Sequence, residues 1–218
     1  MSTTVWERND RMADFKYDSP YSGSGSLTRE QFLFHETRIV AKLLVDEGLN
    51  DDEIIEKIMD ENLFQFPTEK SVKRVVNGCL RRLRCLGDDS LIKTIAHSSM
   101  ENAKQACLYA MMKQYRLVWE YMITVIGAKY REQDFSYGRR DLNVFFMRIQ
   151  EQDDEVASWS DGTINKIKQV LNKVLIENEY IDGPRATALN PVMICTEVEN
   201  VIRANGDEVA LPAFNCFY

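Results

Sequence analysis

Helix-start signals recur along this chain so closely that they leave little room for anything but helices. Leu27-Thr28-x-x-Gln31-Phe32 offers a Thr N-cap, a Gln at the third helical position and an apolar pair placed to staple the first turn. It predicts a helix running to about Glu47, with Gly48 just past its end. Asn50-x-x-Glu53 repeats the cap and Leu49 with Ile54 repeats the staple, for a short helix ending near Asp60. Pro67-Thr68 opens a third helix, closed by Gly87. Ser98-x-x-Glu101 caps a run from Met100 to about Arg131, with a break near Gln114. Another helix covers about Arg139 to Gln152, and "DDEVASWS" reads as a short helix or turn. Ser160 or Thr163 opens the last strong helix, which ends near Asn178. "EYIDG" then predicts a strand and turn, and Pro191 to Asn205 reads as helical, stopping at Gly206. Strand signals are otherwise scarce and no repeat of fixed period is present, so the fold class is mainly α, a multi-helix bundle.

One predicted helix stands apart by its charge. "EKSVKRVVNGCLRRLRCLG" (69–87) holds six Lys/Arg against one Glu, a balance of +5, in a chain whose net charge is −7. At about 3.6 residues per turn, Val72, Val75, Val76, Cys79, Leu80 and Leu83 share one face. Lys70, Lys73, Arg74, Asn77, Arg81 and Arg84 form a continuous stripe on the other, and only Arg82 lies off it. No acidic residue interrupts the stripe. Ordinary solvated faces mix signs, because Glu–Lys pairs four apart stabilise a helix and like charges repel. A stripe of one sign with an Asn in its middle suits a polyanion, while a solvated face or a dock for an acidic protein remains open. A short capped helix, the connector "ENLFQFP" and then the basic helix follow the order of a helix-turn-helix, whose second helix enters the major groove. The connector is longer than the usual three to four residues.

A second candidate is "WSDGTINKIKQVLNKVLIENEYIDG". Ile164, Ile167, Leu171, Val174 and Leu175 make its buried stripe, and Lys166, Gln169 and Lys173 lie opposite. With Trp159 covering its start and Tyr180-Ile181 entering a wing, it reads as a winged-helix-like unit. An ordinary amphipathic helix is the equal alternative, because Asp161, Glu177 and Glu179 offset the lysines.

Other chemistries lack their residues. The five cysteines are odd in number and form no CxxC, which fits neither a disulfide framework nor a zinc site and suits thiols in a reducing cytosol. His35 and His97 are the two histidines, and neither belongs to HExxH or to a set with metal-ligand spacing. "SGSGS" lacks the lysine of a phosphate loop, and no GxSxG is present. The Asp-Asp pairs at 51–52, 88–89 and 153–154 sit at helix starts, where they complement the helix dipole. "YAMMKQYRLVWEYM" reads as core packing rather than a cofactor pocket. No enzyme, metal, cofactor or small-molecule substrate is expected. The N-terminus has no apolar signal region, and the most apolar run, Leu117 to Ala128, is too short to span a bilayer and contains Glu120. The expectation is a cytoplasmic protein without a membrane segment.

The segments "LTREQFLFHETRIVAKLL", "ENLFQFPTEKSVKRVVNGCLRRL" and "VASWSDGTINKIKQVLNKVLIENEYID", with the long helices between them, resemble the BrxA family of BREX bacteriophage-exclusion systems, over about residues 21–205. The resemblance implies a small cytosolic helical protein with a NusB-like and helix-turn-helix fold. It also implies double-stranded DNA binding and other BREX-system proteins as partners. It carries no residue map. An assembly subunit docking an acidic partner, or an RNA-binding NusB-like protein, are the alternative functions. Four regions follow: a flexible arm (1–26) with Trp6, Phe15, Tyr17 and Tyr21, part of it packed on the body or a partner; a helix-turn-helix-like domain (27–97); central long helices (98–152); and a winged-helix-like segment with its tail (153–218).

Overall fold

The computed structural model describes residues 19–217. Eleven α-helices account for most of them: α1 (Phe34–Lys42), α2 (Asp51–Asp60), α3 (Glu69–Cys85), α4 (Asp89–His97), α5 (Met100–Gln114), α6 (Arg116–Tyr121), α7 (Ala128–Glu132), α8 (Arg139–Gln152), α9 (Asp154–Ala157), α10 (Asp161–Glu177) and α11 (Thr196–Ala204). Helical turns of other pitch extend α1 through Leu43–Glu47, join α6 to α7 through Met122–Gly127, and form the short segments Ser24–Thr28 and Glu208–Phe214. Among the described residues the only β-pairing is an isolated bridge between Ser136 and Ala188. The mainly α class is as expected.

Several starts form as their codes direct. Asn50 and Glu53 make a reciprocal capping box on α2, Thr68 caps α3 through Ser71 N–H, and Ser160 caps α10 through Thr163 N–H. Gly48 and Gly87 close their helices with positive φ, at 63° and 65°. The central run breaks at Tyr115, whose extended backbone ends α5 and opens α6.

The first helix departs from its code. Thr28 does not cap it; α1 begins at Phe34, after Leu33 in the left-handed region (φ 53°). The cause lies on α3. The Arg82 guanidinium donates to the carbonyls of Phe32, Glu30 and Gln31 at 2.5–2.6 Å and is 1% exposed. Those three carbonyls converge on one guanidinium instead of lining up along a helix axis, so a buried tertiary cap overrides a local one. Glu30 is buried with it: both its oxygens accept from Arg81 at 2.9 Å, and the Tyr115 hydroxyl donates to it at 2.8 Å. Gly78 makes room, since a Cβ there would stand 2.9 Å from Glu30 Oε2.

Two C-terminal expectations are corrected. Tyr180-Ile181 forms no strand. Both side chains are buried and the Tyr180 hydroxyl donates to the Ala213 carbonyl, so consecutive residues face inward where a strand would alternate. The wing of a winged helix therefore has no hairpin among the described residues. The segment from Pro191 stays non-helical up to Cys195, where the Gln105 carboxamide brackets it, donating to Met193 O and accepting from Cys195 N–H, both at 2.8 Å; α11 begins only at Thr196. Ser98, expected to cap α5, instead terminates α4, and Ser99 caps α5.

The core lies between α1, α3, α4 and α5 on one side and α6, α8 and α10 on the other, with α11 and the Glu208–Phe214 turns closing one end. Those turns pack so near the α6–α7 junction that a Cβ on Gly127 would meet the Ala213 backbone nitrogen at 3.0 Å. Tyr21 is buried, its hydroxyl donating to Glu120 at 2.6 Å, so residues 19–28 pack on the body. Trp6, Phe15 and Tyr17 lie outside the described residues. A buried Lys113–Asp207 ion pair at 2.7 Å, joined by the Tyr109 hydroxyl, pins the C-terminal turns to α5.

Candidate nucleic-acid interface

The amphipathic reading of α3 holds residue by residue. Val72, Val75, Val76, Cys79, Leu80 and Leu83 are buried, and Lys70, Lys73, Arg74, Asn77, Arg81 and Arg84 are exposed. Arg82, the one cation off the stripe, is the buried cap of the 30–32 loop. Two helix–loop–helix partners, α2 and α3, pack against each other across the connector 61–68, which buries Phe64 and turns through left-handed Asn62 and Gln65.

The stripe is not uniform in the folded chain. In its C-terminal half the cations have partners distant in sequence: Arg81 holds Glu30, and Arg84 pairs with Asp51 at the start of α2. In its N-terminal half Lys70, Lys73 and Arg74 have no carboxylate partner among the described residues. The Asn77 amide donates to the Lys73 carbonyl at 2.9 Å, and its own oxygen has no donor among the described residues. Three unpaired cations thus crowd about one and a half helical turns near the start of α3, followed by a carboxamide on the same face.

On α10, Lys166, Gln169 and Lys173 are all exposed, while Ile164, Ile167, Val170, Leu171, Val174 and Leu175 are buried. Lys173 Nζ lies 3.5 Å from Gln31 Oε1 and 3.5 Å from Glu177 Oε1. A groove of about 500 Å³ brings Arg74 and Lys173 together, with Arg29, Ser71 and His35 also on its walls and Glu36 and Glu177 as its acids. Gln169 opens instead onto a separate cleft, and Lys166 lines neither. The two stretches singled out in the sequence therefore meet at one point, Arg74 with Lys173, through the loop that carries Arg29 and Gln31.

Sequence reasoning missed Glu30, Asp51 and Arg29 here. Glu30 and Asp51 neutralise half of the stripe from distant segments, and no spacing rule reveals a partner 51 or 33 residues away. Arg29 joins the groove from a loop that read as helix. The thiols play no part: burial pushes Cys79 up to about 11, and Cys107 is likewise raised by burial. Among the described residues no group of His, Cys, Asp and Glu is placed to hold a metal ion, and no helix is long and apolar enough to cross a membrane.

The BrxA family model matches residues 19–206. A BREX protein BrxA of Bacillus cereus (strain H3081.97) is 35% identical over 178 residues, covering 81% of this chain and 88% of the relative. A BREX protein BrxA of Paramagnetospirillum magneticum is 26% identical over 200 residues, covering 92% and 96%. The crystal structure of an uncharacterized protein from Magnetospirillum magneticum superposes with a TM-score of 0.73 over 87% of this chain and 96% of that one, at 23% identity, a likeness of fold.

Proposed function

This chain belongs to the BrxA family, and from that premise we propose that it is a cytoplasmic, non-enzymatic accessory protein of a BREX phage-defence system that binds double-stranded DNA. Other BREX proteins are its partners. The observation that carries the DNA reading is the cluster Lys70, Lys73 and Arg74: three exposed cations without a counter-charge in a chain of net charge −7. Like charges at this spacing destabilise a helix by a few tenths of a kcal/mol each. A polyanion placed against them removes that repulsion and releases counterions.

Position supports the same reading. The N-terminal residues of the second helix of a helix-turn-helix contact base edges. Here the unpaired cations occupy that half of α3, with Asn77 next on the face. Arg29, Arg74 and Lys173 extend the surface across the groove to α10. The Arg81–Glu30 and Arg84–Asp51 pairs set the pose of α3 rather than contact phosphates. DNA then approaches α3 end-on, with Lys166 and Lys173 lengthening the footprint.

The test is fluorescence anisotropy with duplex DNA, single-stranded DNA and RNA of equal length at several salt concentrations. Five phosphate contacts (Lys70, Lys73, Arg74, Lys166, Lys173) give log K against log salt a slope of about −4.5 for duplex. A flat response removes phosphate neutralisation, and tighter binding to RNA than to duplex replaces DNA with RNA as the partner.

A further inference from the structure

A second concavity lies on another flank of α10, and its charged lining is of one sign. It is a cleft of about 850 Å³ between the N-terminus of α8, the middle of α10 and the loop 183–187. Three cations line it, Arg139, Lys168 and Arg185, and no carboxylate does. In a chain with more acids than bases, this is a departure that needs a cause.

The cations differ in state. Arg139 and Arg185 are exposed and have no acidic partner among the described residues. Lys168 is drawn back into the wall: its Nζ donates to Asn143 Oδ1 at 2.8 Å and sits 5.3 Å from the Phe146 ring centre. Burial lowers its pKa, with Asp161 opposing. The nearest carboxylate on α8, Asp141, is already engaged by Lys129 at 3.1 Å and by the Gly138 N–H at 2.8 Å. It holds the first turn of α8 in place.

The rest of the lining is carboxamide and apolar. Among the described residues Asn165 and Gln169 have no hydrogen-bond partner, and the Asn143 amide nitrogen has none either. A carboxamide presents a donor and an acceptor side by side, the pattern that pairs with a base edge. Leu142 and Pro184 supply apolar surface for a ring. Arginines are the side chains suited to phosphate oxygens in two-point contact. The volume falls within the range of small-molecule sites and far exceeds what a lone phosphate fills.

We propose that this cleft binds a nucleoside phosphate, with Arg139 and Arg185 on the phosphate and Asn165 and Gln169 on the base edge. The ligand is either a free nucleotide or the unpaired terminal nucleotide of a nucleic-acid strand. Lys168 and Asn143 form a prebuilt wall between the two subsites. The site does not depend on duplex binding at α3, since it shares only Gln169 with the residues expected from the sequence to meet DNA.

Isothermal titration calorimetry on the full chain tests it, with the four deoxynucleoside 5′-monophosphates, ATP and inorganic phosphate as probes. At least one nucleotide is expected to bind tenfold or more tighter than inorganic phosphate. Arg139→Ala/Arg185→Ala is expected to weaken it by about a hundredfold or more, since each arginine removed takes away a hydrogen bond to a charged group. Asn165→Ala/Gln169→Ala narrows the gap between nucleotide and phosphate. Lys70→Glu/Lys73→Glu, which disables the α3 surface, leaves nucleotide binding unchanged. A second arm compares a blunt duplex with one carrying a phosphorylated single-stranded overhang. An overhang preference that disappears in Arg139→Ala/Arg185→Ala identifies a strand end as the source. If no free nucleotide binds and no overhang preference exists, or if inorganic phosphate binds as tightly as any nucleotide, the site is not a nucleotide site. Blunt-duplex affinity is set by α3, so it reports separately on the DNA reading.

Discussion

The two halves of α3 look alike in sequence and serve opposite ends. Lys70, Lys73 and Arg74 precede Asn77 on one face, and Arg81 and Arg84 follow it at the same helical spacing. Yet the second group is tied down by Glu30 and Asp51, its neighbour Arg82 is wholly buried, and the first group faces solvent unpaired. Charge counted along a chain is thus a poor measure of charge available to a ligand. What decides is whether distant segments bring carboxylates or carbonyls to meet it. In α3 the paired half fixes the helix in the body, and that anchoring presents the unpaired half in one orientation.

The contrast between the halves is greatest at Arg82. Removing it leaves three loop carbonyls without their buried donor. Arg82→Met is expected to cost about 3–5 kcal/mol and to lower the melting temperature by roughly 10 °C, read by calorimetry or far-UV circular dichroism. By contrast Lys73→Gln is expected to shift the melt by no more than about 0.5 kcal/mol. Equal losses from the two would dissolve the distinction between anchoring and free cations.

Gly78→Ala probes the same anchor from the helix side. The new methyl group meets Glu30 Oε2 at 2.9 Å, where Arg81 and Tyr115 hold the carboxylate still. The expected cost is about 1–3 kcal/mol, seen in the urea midpoint. Combining it with Glu30→Ala should cost less than the sum of the two single changes. Strict additivity would mean that Glu30 yields freely and is not fixed.

Arg84→Gln removes a pair that is largely solvated, 64% and 34% exposed at the two side chains. It is expected to cost under about 1 kcal/mol, with most of that gone at high salt. The smallest effect belongs to an exposed pair elsewhere on the surface. Hydrogen bonds from Ser136, and Lys129 beside it, hold the Asp134 carboxyl down at about 2. A folded-state pKa below the unfolded value contributes stability that is fully present above about pH 4. That contribution is lost as pH falls through 2. Asp134→Asn should lower stability slightly at neutral pH, where the contribution is present, and converge on the parent as pH falls through 2, so that its acid limb is flatter.

Much of this architecture was legible because its determinants are local. Asn50 with Glu53, Thr68, Ser160 and the glycines at 48 and 87 sit within a turn of the elements they bound, and the Val/Cys/Leu stripe of α3 fixes its buried face by spacing alone. What was not legible depends on long-range partners. Thr28 and Gln31 have the pattern of a cap, but Arg82 draws together the carbonyls that a helix there would line up along its axis. Tyr180-Ile181 has the composition of a strand, but both side chains are consumed by the core. Pro191 to Cys195 reads as the start of α11, but the Gln105 side chain binds Met193 and Cys195 and the helix starts only at Thr196. At the candidate interface the exposed residues were predictable from periodicity. Their division into paired and unpaired was not, because Glu30 and Asp51 come from other elements.

The salt dependence of duplex binding, measured by anisotropy, tests the division of α3 most directly. The parent is compared with Lys70→Gln/Lys73→Gln/Arg74→Gln and with Arg81→Gln/Arg84→Gln, each checked by melting to be folded. The first set should remove about 2.7 from the magnitude of the slope of log K against log salt, about 0.9 for each phosphate no longer neutralised, and nearly abolish binding at physiological salt. The second should leave the slope within about 0.5 of the parent's, less than one phosphate's worth. If the second set flattens the slope and the first does not, the anchored cations are the ones that meet DNA, and the unpaired half of α3 is not the binding surface.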